Sequence, residues 1–340
     1  MSLPPNPPPA APGPQQPPQQ VSINIDIASL LAANPPPGTR ALIEAIEASR
    51  QSKLIVLVLA DNSLLAGDVV SQIESLLLSG GPRDRLDLFL RSTGGIAEIP
   101  WRIVSVLREF SHHLGVIVPR VAMSGATHIA IAGDELVLGP LSNLGSVDPT
   151  RNHPLLPRDP QGNPIPMSVQ NLKHCLGFLT RTLREGEQLG PIVTELFNHV
   201  DPLALGALEE AYELARLITG KVLATRRAPI ESDRIERIKE KLAGEYFSHA
   251  YCISRSEVES DLGLPVSRMD VGQEIFNRVE ALHSVYFGAF GSASPVGGPV
   301  PLSFRITGFV ETTEQRHILC QVMAPSGQRI AGSWIAGNNS

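Results

Sequence analysis

The run Gly115-Val-Ile-Val-Pro-Arg-Val-Ala-Met-Ser-Gly-Ala-Thr-His-Ile-Ala-Ile-Ala-Gly-Asp-Glu-Leu-Val-Leu138 decides how this chain is read. Gly115–Val118 is an apolar, β-branched strand, and Glu135–Leu138 is another. Between them a helix of small residues begins at Ser124. Strand, helix and strand in so few residues describe a parallel crossover, and the small side chains imply a helix pressed closely onto its sheet. A serine at that helix start sits among unpaired N–H groups at the positive end of the helix dipole, where developing negative charge is favoured. An ordinary capping serine is the competing reading.

Working outward, Leu54-Ile-Val-Leu-Val-Leu59 is a continuous apolar run, as expected of a strand buried on both faces. Apolar positions at Val69, Val70, Ile73, Leu76 and Leu77 have helical spacing, and Leu86–Leu90 is a further strand followed by a helix over 99–109. The alternation predicts an α/β chain with a mainly parallel sheet flanked by helices. Strand Leu86–Leu90 runs into Arg91-Ser-Thr-Gly-Gly95, where the glycine pair permits positive φ and close backbone approach.

Three motifs in order, Arg91–Gly95, Ala122-Met-Ser-Gly125 and Leu138–Pro149, resemble the Clp-fold serine peptidases, and above all the serine dehydrogenase proteinase family, relatives of signal peptide peptidase A. The resemblance runs over roughly Leu54 to Val266. It implies a Clp/crotonase-like superhelix of ββα units, Ser124 as nucleophile, and the N–H groups of Gly95 and Gly125 as the oxyanion hole. A side chain at Gly95 is then expected to harm catalysis more than stability.

The base is left open. The Clp proteolytic subunits place a histidine after the strand that follows the serine helix, but this chain reads Asn143-Leu-Gly-Ser-Val-Asp148-Pro149 there. Relatives of signal peptide peptidase A use a downstream lysine, and Lys173 stands about where it would fall. Desolvation can lower a lysine's pKa enough for that role. His128 is four residues beyond Ser124, on the same helical face. His249 matches a histidine of the family's closing segment, with no role attached. Asp148, before a proline, reads as a turn residue.

The 340 residues carry 42% apolar residues and a net charge of −6, which gives no reason to expect a nucleic-acid partner. Three cysteines without CxxC spacing argue against a zinc site or a disulfide framework and for a reducing compartment, the cytoplasm. There is no basic-then-apolar leader and no span of membrane length. No metal or cofactor is called for; a P-loop and a dinucleotide fingerprint are both missing. The expected organisation is a Pro/Gln-rich tail over 1–20, an N-terminal extension over 21–52, a peptidase-like domain over 53–288, a linker over 289–301 and a small antiparallel β appendage over 302–340. Function is read as an ATP-independent serine peptidase acting on peptides or proteins as a homo-oligomer. The alternatives are an inactive Clp-fold scaffold and a crotonase-like acyl-CoA enzyme, whose acid and base would be carboxylates.

Overall fold

The computed structural model describes residues 25–150, 153–182, 190–297 and 301–339. The Pro/Gln-rich stretch over 1–20 lies outside them. The first half comprises α1 (Ile27–Ala33), α2 (Arg40–Arg50), β1 (Lys53–Leu59), α3 (Gly67–Gly80), β2 (Arg83–Arg91), α4 (Ile99–Glu109), β3 (Ser111–Val118), β4 (Val121–Ala122), α5 (Gly125–Ile131), β5 (Glu135–Leu138) and β6 (Asn143–Gly145). Then come α6 (Val169–Thr182), α7 (Gly190–His199), α8 (Pro202–Ala224), α9 (Ser232–Glu240), β7 (Cys252–Ser254), α10 (Arg255–Ser260), β8 (Val266–Arg268), α11 (Glu274–Gly291), β9 (Ala293–Val296), β10 (Leu302–Glu311), β11 (Gln315–Met323) and β12 (Arg329–Asn338).

Strands β1, β2, β3, β5 and β8 form the parallel part of a nine-stranded sheet. Alternation within β1 explains its unbroken apolar run. Ile55, Leu57 and Leu59 face a core shared with α3, α4, α5 and α8, while Leu54, Val56 and Val58 face a second core shared with α2 and α11. A strand covered on both faces has no position left for a polar side chain, other than one whose partners are buried with it. Asp87 of β2 is such a residue, fully buried and bonded to Arg50 and to Ser52 Oγ, the latter at 2.5 Å.

The C-terminal strands form the expected antiparallel group, β10–β11–β12, and they extend the central sheet itself. β10 pairs antiparallel with β1, Val58 opposite Phe309. The expected linker is also more structured than its composition implied. Helix α11 continues through Gly291, and Ala293–Val296 turns back on Leu302–Arg305 as β9. Fully buried Glu311 sews this corner together: Thr39 Oγ1 donates to it at 2.7 Å, the Tyr286 hydroxyl donates to it, and Arg316 Nε lies 2.6 Å away. Burial still pushes its carboxyl above the usual range.

Deleting residues 301–340 would strip the antiparallel partner from β1 and open a central strand to water. The expected result is an insoluble or unfolded product, with no cooperative melt by circular dichroism. A folded truncated protein would mean that β10 is dispensable to the sheet.

Candidate active site

Ser124 stands two residues past the short strand β4 and caps α5 with φ 50° and ψ −122°, a conformation that costs a non-glycine residue roughly 1–3 kcal/mol. Such a turn lifts a side chain off the sheet edge at the start of a helix. The surroundings impose it. Ser92, just past β2, pairs with Ala122: Ser92 N–H donates to Val121 O at 3.2 Å and Met123 N–H to Ser92 O at 3.0 Å. Thr127 Oγ1 lies 2.7 Å from Ala122 O and accepts from Gly145 N–H at 3.0 Å, tying α5 to β4 and β6. Every residue of α5 is buried, so only small or well-partnered side chains fit. At its far end the Arg226 guanidinium donates to the carbonyls of Ile131 (3.0 Å) and Gly133, closing the helix with positive charge.

The glycine loop is held by Leu65. Leu65 N–H donates to Gly94 O and Ile96 N–H to Leu65 O, each at 2.9 Å. Gly95 N–H is thereby skipped, and Gly125 N–H, first in its helix, has no carbonyl to bond. Neither donates to another group among the described residues. The two amides are neighbours: a Cβ placed on Gly125 would stand 3.7 Å from Gly95 N, and one on Gly94 (φ 103°) 3.0 Å from Gly125 N and 2.8 Å from Ser124 Cβ. Two free donors beside a strained serine make an anion-binding pair.

A Cβ on Gly95 would run into the backbone of Leu65. A side chain at 95 would therefore cost stability too, beside the greater harm to catalysis expected from the sequence. Packing against Leu65 requires glycine at 95.

Ser124, Gly95, Gly125, His128 and His249 all line one cavity of about 580 Å³, walled also by Leu64, Ile96, Val147 and Pro149. Lys173 does not. Its side chain is exposed on α6 and lines a separate cleft with Glu209, Glu213, Glu240 and Glu245, its ammonium 4.0 Å from the centre of the Tyr212 ring. The fold thus brings together four of the five other residues singled out around Ser124 and leaves the lysine apart.

The two histidines differ in character. His128 is buried, with Nε2 3.0 Å from Thr219 Oγ1. The Thr219 hydroxyl donates to Ala215 O at 2.8 Å, so it can only accept from the ring. Burial pushes the His128 pKa down to about 4. His249 is exposed, and its Nδ1 lies 2.6 Å from the main-chain carbonyl of Asp148. A carbonyl only accepts, so Nδ1 carries the hydrogen and Nε2 keeps its lone pair. Antiparallel pairing of β6 with β7, with Val147 N–H donating to Leu242 O at 2.9 Å and Ser146 Oγ to Ser248 O at 3.1 Å, carries His249 to this place. The Asp148 carbonyl had no signal in the sequence, since every residue owns one.

Neutral His128 has a consequence for stability. The unfolded chain takes up its proton near the ordinary value of about 6.5 and the folded chain only near 4, so the unfolded state gains between those values. The contribution of His128 should be flat above pH 7 and fall by about 3 kcal/mol as pH drops to 4. Urea melts of His128→Leu should show a shallower fall, with a residue left by His283, which burial also depresses to about 4. Equal slopes in both proteins would show that His128 protonates without cost.

A serine raised on a strand-to-helix turn, with two unspent backbone donors beside it, resembles a Clp-like site. In agreement, residues 68–155, which contain Gly95, Ser124 and Gly125, match the family described as ClpP-like SDH-type serine proteinase. The resemblance to serine dehydrogenase proteinases holds over that stretch. Two proteins of Methanocaldococcus jannaschii are similar, both described as uncharacterized. MJ1495 is 26% identical over 219 residues, 64% of this chain and 63% of its own length. MJ0137 is 36% identical over 73 residues, 21% of this chain and 26% of its own length. The chain therefore matches less than two thirds of either relative. No helix among the described residues is long and apolar enough to cross a membrane.

Proposed function

We propose that the chain is an ATP-independent serine peptidase that cleaves peptide bonds through an acyl-enzyme on Ser124, with His249 as base. The observation that carries this is the convergence, on one cavity, of a strained serine, two free amides and a histidine whose Nε2 lone pair is unspent. Ser124 Oγ would attack the scissile carbonyl while its proton passes to His249 Nε2. The carbonyl electron pair moves to oxygen, where the N–H groups of Gly95 and Gly125 receive it. Collapse expels the amine, which takes the proton from His249, and water then repeats the sequence to free Ser124. His128 serves as a neutral wall, and Lys173 stands outside the reaction.

Among the described residues no Asp or Glu lines the cavity, which weighs against a crotonase-like enzyme using carboxylates as acid and base. In this reading ββα units stack as in the Clp superhelix, the body over 53–288 forms the catalytic unit, and exposed Phe197, Leu203 and Leu217 are covered when copies of the chain assemble in the cytoplasm. Covalent labelling by a fluorophosphonate, with the modified residue mapped by mass spectrometry, tests the proposal. Modification of Ser124 supports the peptidase; failure to label the folded protein leaves the inactive scaffold in its place.

A further inference from the structure

The nine-stranded sheet keeps one long edge open. Its strand order puts β8 at one end and β12 at the other. β8 has three residues, and β9, which joins at β10, has four and carries Pro295. Short length and proline are usual ways of keeping an edge from pairing. β12 has neither. It runs for ten residues without proline, and its one charged residue is Arg329 at the start. Gly332, Ser333, Ala336, Gly337 and Asn338 are exposed. A register shift beside Ile330 leaves Ala331–Asn338 regular.

The free backbone groups of this edge follow from one bond. Asn339 N–H donates to the opposite carbonyl, Glu314 O, at 2.9 Å. Antiparallel bonding alternates, so Gly337, Ile335 and Ser333 bond inward to β11. The N–H and C=O groups of Asn338, Ala336, Trp334 and Gly332 then point out of the sheet. Among the described residues the Ser333 hydroxyl, 3.1 Å from the Trp334 carbonyl, is the one group that meets them. Charge at the two ends selects an occupant. Arg329 and Glu314 are both exposed, and neither makes an ion pair among the described residues. Antiparallel pairing of β12 with itself brings Arg329 of each copy alongside Glu314 of the other, whereas parallel pairing sets like charges together.

We propose that β12 is a dimerisation edge, pairing antiparallel with β12 of a second copy about a two-fold axis and joining the two sheets into one. The contact is self-complementary and closes, because each copy spends its one long open edge. It hides a row of backbone donors and acceptors that otherwise invites uncontrolled strand addition. The inference stands apart from the catalytic reading, and no step of it involves Ser124.

Light scattering on the full chain over a concentration series tests it. The wild type should give an even multiple of the chain mass, and folded Ala336→Pro should give half of the wild-type mass. Proline there removes an outward N–H and no bond to β11. Arg329→Glu should raise the dissociation constant of the pairing roughly tenfold, since two end contacts turn repulsive, and adding Glu314→Arg should restore it. Hydrogen exchange should find the amides of Trp334, Ala336 and Asn338 protected in concentrated protein and exchanging on dilution, with Ile335 and Gly337 protected in both. A wild type that is monomeric throughout, or an unchanged mass in folded Ala336→Pro, would overturn the proposal. Should Ala336→Pro not fold, the other two measurements decide: free exchange of the outward amides in concentrated protein, or an Arg329→Glu defect that Glu314→Arg does not repair, overturns the pairing.

Discussion

Ser124→Ala is expected to reduce peptide hydrolysis by ~10⁴–10⁶ and to abolish covalent labelling, the loss seen when the nucleophile of a serine–histidine pair is removed. The fold should persist. The substitution deletes one oxygen that makes no capping hydrogen bond to α5, and alanine inherits the same strained φ of 50°. A thermal melt within a degree or two of the wild type, beside a dead enzyme, is the signature. Activity unchanged in a clean Ser124→Ala preparation would mean that hydrolysis arises elsewhere.

His249→Gln comes next in size. Removing the base should cost about 10²–10⁴ in kcat/KM, with little change in stability because the ring is exposed and its one bond is to a main-chain carbonyl. Lys173→Met provides the contrast. The lysine lies in another cleft over Tyr212, so the variant should keep rates near wild type. The pair of measurements is decisive in either direction. A dead Lys173→Met with an active His249→Gln would restore the lysine mechanism and require α6 to move toward Ser124.

The backbone features on which the proposed site rests are local. Gly95, Ser124 and Gly125 owe their proposed roles to backbone geometry over a few residues: a strand, a glycine turn, a helix start. The free Gly95 N–H is less local, since it depends on Leu65 bonding its neighbours on either side. That same approach of Leu65 is why a side chain at 95 would disturb packing as well as chemistry. The choice of base was not legible. Spacing along the chain favoured Lys173, yet His249, beyond α6, α7 and the long α8, is the one that shares the cavity of Ser124.

The sequence by itself determined the α/β alternation, the strand buried on both faces at Leu54–Leu59, the serine at the helix start and the antiparallel character of the C-terminal strands. Each follows from side-chain periodicity or turn chemistry within a dozen or so residues. Only the tertiary structure decided that β10 joins β1, that His249 rather than Lys173 shares the cavity of Ser124, and that the Asp148 carbonyl orients it. These depend on register and pairing between segments far apart in the chain. Backbone hydrogen bonds, the same for every residue type, set them and leave no mark in the residues that they join.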